Sequence, residues 1–220
     1  MITTRQQGAI RYIKFDDGKV NVITLSAAEA LKDAITDAEA DKETSCLIIE
    51  GNERALTVGL DTKTVLENDA DAHALLNSMG AVLKTLYLSR LRSIVITQGH
   101  ATAAGAMLLL VADHRIGCGR GGKIGLSEVR VGLSVPLATQ QLVKDRIVPG
   151  LQYASTALAR LFDYPAAERA GYLDATCETY ADALESAEIR AAEFAALNED
   201  AYLKTKQSMR RAYTEIVEGR

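Results

Sequence analysis

Cysteine is scarce in this 220-residue chain, occurring at Cys46, Cys118 and Cys177. An odd number at wide spacing matches neither a zinc-ligand pattern nor a disulfide framework. The expectation is buried thiols in a reducing cytoplasm. Histidine is equally sparse. His73, His100 and His114 are scattered, and no Gly-x-Ser-x-Gly elbow supplies a nucleophile for any of them. The longest apolar stretch, Ala101 to Ala112, is too short to span a bilayer. The start, Met1-Ile-Thr-Thr-Arg-Gln-Gln7, lacks the basic-then-apolar layout of a secretion signal. A net charge of −4 and a pI near 5.5 argue against bulk nucleic-acid binding. These features lead to the expectation of a cytoplasmic protein without nucleic-acid or membrane partners.

What is present is a substantial core. Hydrophobic residues make up 48% of the chain, enough to bury one domain, and no repeat or low-complexity linker divides it. Ile10 to Phe15 alternates apolar and polar residues and runs into Asp16-Asp-Gly18, the pattern of a strand and turn. Val20 to Leu25 reads as a second short strand. Ser26-Ala-Ala-Glu29 matches a capping box, which predicts a helix to about Ala40. Ser45 to Glu50 is a short apolar strand, expected to be buried on both faces. Gly51 to Asp61 reads as a loop and Asp71 to Arg90 as a helix. Ser93 to Gln98, Gly105 to Ala112 and His114 to Cys118 follow as strand, helix and strand. Beyond them lie helical patterns at 136–147, 150–160, from Tyr164, at 181–197 and at 198–218, with Pro165 suited to a first turn. Alternating β and α segments followed by helices predict an α/β core, residues 1–160, and a helical C-terminal region, residues 161–220.

Three patterns bear on chemistry. Gly117-Cys-Gly-Arg-Gly-Gly-Lys123 has most of a phosphate-binding loop, but Ile124 stands where Ser or Thr would hold Mg²⁺. A β-like Val129-Arg-Val131 follows instead of a helix. Five glycines in nine residues suit an inter-strand turn. His100 reads as a loop histidine lining or capping a site. Glu128 taken alone is an ordinary surface acid. Its apolar flanks, Ile124-Gly-Leu126 and Val129 to Leu133, would disfavour its charged form and raise its pKa toward a working value.

Several segments, in order along nearly the whole chain, resemble the enoyl-CoA hydratase/isomerase (crotonase) family. Arg54-Ala-Leu-Thr-Val-Gly-Leu-Asp61 is similar to its Ala-Phe-Ser-Ala-Gly-x-Asp motif. Ser93-Ile-Val-Ile-Thr-Gln-Gly-His100 resembles its Pro-x-Ile-Ala-x-x-Asn-Gly strand. Ala112-Asp-His-Arg-Ile116 matches Cys-Asp-x-Arg-x, and Lys19-Val-Asn21 is similar to an N-terminal Lys/Arg-x-Asn. Ala166-Ala-Glu-Arg-Ala-Gly-Tyr-Leu-Asp174 resembles Ala-x-x-Ala-x-x-x-Gly-Leu-Val-Asp. Hydratases of the family carry one glutamate where Met107 stands and another where Glu128 stands. This chain keeps the second alone. Ile124-Gly-Leu-Ser-Glu128 and Leu203-Lys-Thr-Lys-Gln-Ser-Met-Arg-Arg211 most resemble the Δ3,Δ2-enoyl-CoA isomerases.

The resemblance implies a spiral of β-β-α turns with a helical C-terminal trimerisation region, as a homotrimer or dimer of trimers. It implies an acyl-CoA substrate, with coenzyme A part of that substrate and no metal or redox cofactor. The backbone amides of Leu60 and Ala104 are the implied oxyanion hole, although Ala104 departs from the usual glycine. Glu128 is the implied proton carrier. Ala55, Val58, Lys63, Gly105, Met107 and Leu133 are the implied substrate contacts, with Lys63 near the CoA phosphates and Arg210-Arg211 either helping there or solvated. Asp61 is expected to hold its loop. The activity implied is 3-enoyl-CoA to 2-enoyl-CoA isomerisation. Decarboxylation or hydration of another acyl-CoA, and acyl-CoA binding without catalysis, remain alternatives.

Overall fold

The computed structural model describes residues 1–67 and 69–219. Strands β1 (Ile2–Gln7) and β2 (Ile10–Phe15) form an antiparallel hairpin. After a turn at Asn21 come β3 (Val22–Ile23) and helix α1 (Leu25–Ala40). Next are β4 (Cys46–Glu50), β5 (Ala55–Thr57), β6 (Gly59–Leu60), α2 (Thr62–Glu67) and α3 (Ala70–Leu88). The pattern repeats with β7 (Arg92–Thr97), β8 (His100–Thr102) and α4 (Ala104–Val111). It repeats again with β9 (His114–Cys118), β10 (Ile124–Gly125), a 3-10 turn at Glu128–Val131 and α5 (Leu137–Arg146). The chain ends with α6 (Gln152–Ser155), α7 (Tyr164–Ala170), β11 (Ala175–Cys177), α8 (Tyr180–Ala195), α9 (Glu199–Met209) and α10 (Arg211–Val217).

Each turn of this spiral sends one strand to a large sheet and the next to a small one. The large sheet has the order β1-β2-β4-β7-β9-β11, parallel from β2 onward. The small sheet stacks β10-β8-β5, also parallel. Both faces of the large sheet are covered, which is why Leu47 to Ile49 of β4 and Ile94 to Ile96 of β7 are continuous apolar runs. Leu47, Ile49 and Val95 point into the main core with α1, α3 and α4. Ile48, Ile94 and Ile96 point the other way, onto Ala183, Ala187 and Ala191 of α8. Those alanines recur every four residues, so they form one stripe, and their small size lets the helix lie close to the sheet. The helical region expected from residue 161 thus also contributes β11 to the sheet.

Several local expectations are corrected. Helix α1 begins earlier than Ser26: Thr24 is its cap, accepting from the Ala27 amide at 3.3 Å. Ile23 is the last residue of β3, held in register with Leu60, so the chain turns at Thr24 and the predicted strand to Leu25 is cut short. The supposed loop 51–61 contains β5 and β6. Residues 129–131 are a 3-10 turn, not a strand, because the small sheet ends at β10 and offers them no partner; Val129 and Val131 are exposed. The predicted helix at 150–160 shrinks to α6 and a short 3-10 turn. The chain must extend so that Phe162 bridges to Ile124. The single helix predicted over 198–218 is divided at Arg210, whose side chain is drawn into the core.

Candidate active site

The small sheet decides which residues meet. β5, β8 and β10 run parallel, so all three end on the same side. Leu60 follows Thr57 by three residues, Ala104 follows Thr102 by two, and Glu128 follows Gly125 by three. The chain segments carrying the three main predicted residues therefore emerge together at the carboxyl ends of adjacent strands.

The segments of Leu60 and Ala104 approach closely. A Cβ built on Gly59 would lie 2.9 Å from the Ala103 Cβ and 3.7 Å from the Ala104 amide nitrogen. Gly59 has φ +114°, so a side chain there would be strained as well as crowded. The Thr102 hydroxyl ties the two segments by donating to the Val58 carbonyl at 3.2 Å. On the other side of Ala104, a Cβ on Gly105 would overlap the Thr57 carbonyl oxygen, so only glycine lets α4 pack this tightly on β5.

Helix α4 starts without a side-chain cap. The first amides of a helix have no intrahelical acceptor and carry positive partial charge. The Ala104 amide is the first of these, and an oxyanion would suit it. The preceding residue, Ala103, takes φ 51° and ψ −117°, an unfavourable conformation for a residue with a Cβ. Ala103 is thus the strained residue here, rather than Ala104, which is the helix's first residue. The strain turns the chain sharply enough to bring α4 directly off β8.

Glu128 opens the 3-10 turn, 8% exposed, and its Oε2 has no hydrogen-bond partner. Burial raises its pKa above the ordinary 4.5, opposed in part by the backbone amides of Glu128 and Ser127. Leu133 donates its amide to the Glu128 carbonyl at 3.0 Å and packs half-buried against the core. Met107 lies one turn along α4 from Ala104 and is 8% exposed. Its sulfur accepts from the Thr139 hydroxyl of α5 at 3.6 Å. No acidic residue occurs in α4. Ala55 is fully buried, Val58 is half-buried, and Lys63 is exposed on α2.

Asp61 caps α2: its carboxylate accepts from the Lys63 amide at 3.1 Å and the Thr64 hydroxyl at 3.1 Å. His100 is corrected. It is the first residue of β8, exposed, at the opposite end of the strand from Ala104, and its Nδ1 accepts from the Lys123 amide at 3.1 Å. It braces the glycine-rich turn, which leads into strand β10 rather than a helix. Arg210 is corrected too. It donates to Asp113 at 2.6 Å and to the Tyr87 carbonyl, buried and away from solvent. Arg211 is exposed and pairs with Glu215 at 2.7 Å.

Sequence reasoning missed the supports. Asn21, fully buried at φ 57°, donates to the carbonyls of Phe15, Ala55 and Leu56 at 2.8, 2.9 and 3.1 Å. The Thr57 hydroxyl donates back to the Asn21 carbonyl and accepts from the Gly59 amide at 3.0 Å. This network holds β5 and β6 in place for Leu60. The Lys19-Val-Asn21 match was the available signal, with nothing in it to show a structural role. A cavity of about 550 Å³ lies between α9 and the core, lined by residues that include Tyr87, Asp113, Arg146, Tyr202, Lys206 and Arg210. Glu128 is not among its lining residues.

The family profile for enoyl-CoA hydratase/isomerase matches residues 5–218. The chain belongs to this family. The fold is correspondingly the crotonase fold. An enoyl-CoA hydratase, EchA3, from Mycobacterium ulcerans is 32% identical, with a TM-score of 0.92, over 99% of this chain and 95% of that one. An enoyl-CoA isomerase from Mycobacterium tuberculosis is 29% identical, with a TM-score of 0.91, over 99% and 94%. An enoyl-CoA hydratase/isomerase family protein from Pseudomonas syringae is 29% identical, with a TM-score of 0.91, over 99% and 94%. Membership supports crotonase-type chemistry on an enoyl-CoA. Relatives of nearly equal similarity are described by either reaction.

Proposed function

We propose that this protein is a 3-enoyl-CoA isomerase that uses Glu128 as its one acid/base group. What supports the reading is the buried carboxylate of Glu128 on the segment leaving β10, a strand that runs parallel to β8 and in one sheet with β5, together with Met107 and no acid along α4. The thioester oxygen would sit between the amides of Leu60 and Ala104, which are fixed before the reaction and need little reorganisation as charge develops. That polarisation makes the C2 proton acidic. Glu128 takes it, the dienolate negative charge rests on the two amides, and protonated Glu128 returns the proton at C4. The double bond moves from C3–C4 to C2–C3. A pKa raised by burial suits a group that must both accept and deliver the proton. The thioester is the electron sink, so the step requires no metal or redox cofactor, and coenzyme A arrives as part of the substrate.

Met107 keeps its side of the pocket apolar and puts no carboxylate at that position to activate water. Val58 and Leu133 are assigned to the acyl chain, with Ala55 and Gly105 shaping the pocket and Lys63 facing the CoA phosphates. We further assign the protein to the cytoplasm and a trimeric assembly, or a dimer of trimers. Among the described residues no helix is long and apolar enough to cross a membrane. Light scattering of the purified protein tests the assembly.

The function is tested by turnover of 3-hexenoyl-CoA beside hydration of 2-hexenoyl-CoA. Isomerisation with little hydration is the expected result. Hydration as the dominant activity, or neither reaction from folded protein, rejects the assignment for this chain length. Met107→Glu is expected to raise the hydration rate while Glu128 is intact, measured against wild type in the same assay.

A further inference from the structure

The cavity between α9 and the core lies apart from the proposed proton shuttle. Asp113 on its wall stands two residues beyond the end of α4, whereas Ala104 opens that helix. The length of α4 separates the two by roughly 12 Å. At about 550 Å³ the cavity has the size of a small-molecule site.

Its wall carries charges that do not balance. Three cations, Arg146, Lys206 and Arg210, meet two carboxylates, Asp113 and Asp145. Asp113 is taken by Lys206 at 3.0 Å and Arg210 at 2.6 Å. Asp145 accepts from the Tyr87 hydroxyl at 3.1 Å and from the Gln141 amide at 2.8 Å. Arg146 is the cation left over. Its Nη2 donates to the Ala112 carbonyl at 2.8 Å, and among the described residues no carboxylate pairs with it and no acceptor meets its Nε or Nη1. The residue is half-buried. Burial first, then the charges of Arg115 and Arg210, work against its charged form. Arg115 is itself engaged by Asp174 at 2.7 Å. A half-buried guanidinium among like charges calls for an anion. The rest of the wall is different in kind. Ala201, Thr205 and Met209 recur every four residues, so they form one face of α9 toward the cavity, with Leu197 just before the helix.

We propose that this cavity binds a monocarboxylate with a short apolar body, its carboxylate meeting the free donors of Arg146 and its body lying along Leu197, Ala201 and Met209. A planar guanidinium matches the two oxygens of a carboxylate with parallel hydrogen bonds. The one surplus positive charge on the wall balances one negative charge on the ligand. A second negative charge, as on a phosphate, would face Asp113 and Asp145 without a counter-charge. The inference is independent of the reaction assigned to Glu128.

The test is isothermal titration calorimetry of the full chain with hexanoate, beside hexanamide and inorganic phosphate. Hexanoate is expected to bind, and the other two to bind at least about 10-fold more weakly. Arg146→Gln is expected to weaken hexanoate by at least about 10-fold, the scale of a lost hydrogen bond to a charged group. Ala201→Trp, at an exposed position on the cavity wall, is expected to weaken it similarly by filling the space. Absence of hexanoate binding to the wild-type protein overturns the proposal. Equal binding of phosphate or hexanamide overturns it as well, since the site would then select neither one charge nor a carboxylate. Unchanged hexanoate binding in folded Arg146→Gln also overturns it, by placing the ligand elsewhere. If that variant does not fold, unchanged binding in Ala201→Trp decides in the same way. Glu128→Gln is expected to keep hexanoate binding. The calorimetry needs no turnover, so failure of the isomerase assay and failure of this inference are separate results.

Discussion

Glu128 carries opposite demands at the scale of one residue. The proposed proton shuttle needs the carboxylate, while burial disfavours its charge. A carboxylate whose folded pKa is raised supports the fold fully below its unfolded pKa, where it is protonated in both states. That support is lost as pH rises through the folded pKa. Glu128→Gln is therefore expected to raise Tm at pH 8 and to give no gain near pH 4, measured by thermal unfolding at both. The same variant should lower isomerase turnover by at least about 100-fold, the usual scale of a lost general acid/base group. A variant with unchanged Tm at both pH values would remove the case for a charge held at a cost. The apolar flanks of Glu128 were legible from sequence. The burial of its Oε2 without a partner was not, because what surrounds that atom is set by folding rather than by its neighbours in sequence.

Among the elements, the junction of β8 and α4 positions the Ala104 amide proposed for the oxyanion hole. Its geometry depends on small atoms: Gly59, Gly105 and the strained Ala103. Gly105→Ala puts a methyl group into the Thr57 carbonyl and should cost about 1–3 kcal/mol, the range for overpacking a filled core. Urea unfolding measures that loss. Turnover should fall by more than the stability change alone explains, because α4 and the Ala104 amide move away from β5. Glycine at 105 was visible in the sequence, but the carbonyl it meets belongs to a strand almost fifty residues earlier. The helix capped by Thr24 teaches the same lesson: Ser26-Ala-Ala-Glu29 satisfied the local rule, and pairing of Ile23 with Leu60 set the boundary instead.

The whole molecule is closed by an ion cluster far from the small sheet. Asp113 accepts from Lys206 at 3.0 Å and Arg210 at 2.6 Å, joining the C-terminal helices to the core. Burial works against ionisation of Asp113, but the two cations outweigh it and hold the carboxyl at about 2. Burial also lowers Lys206, to about 8, against the pull of Asp113. A depressed acid supports the fold above its unfolded pKa and loses that support as pH falls through its folded value. From 3.8 down to about 2, this amounts to about 2 kcal/mol lost on acidification. Asp113→Ala leaves two buried cations unpaired and should cost about 3–5 kcal/mol at pH 7 in urea unfolding. Its stability should also fall less steeply than wild type between pH 4 and pH 2. Equal slopes would place the acid sensitivity elsewhere.

The sequence by itself determined the alternation of strands and helices, the double-sided burial of the sheet and the single glutamate beside apolar flanks. These follow from period-two and period-3.6 patterns, which local chemistry writes along the chain. Only the tertiary structure decided the rest. Arg210 reads as a solvated or phosphate-binding residue until Asp113, nearly a hundred positions earlier, is seen to hold it. His100 reads as a site residue until the direction of β8 puts it at the far end. Leu60, Ala104 and Glu128, far apart in sequence, are proposed as one site because they follow three short parallel strands that run side by side. Such meetings depend on register between segments remote in sequence, and no local pattern encodes register between remote strands.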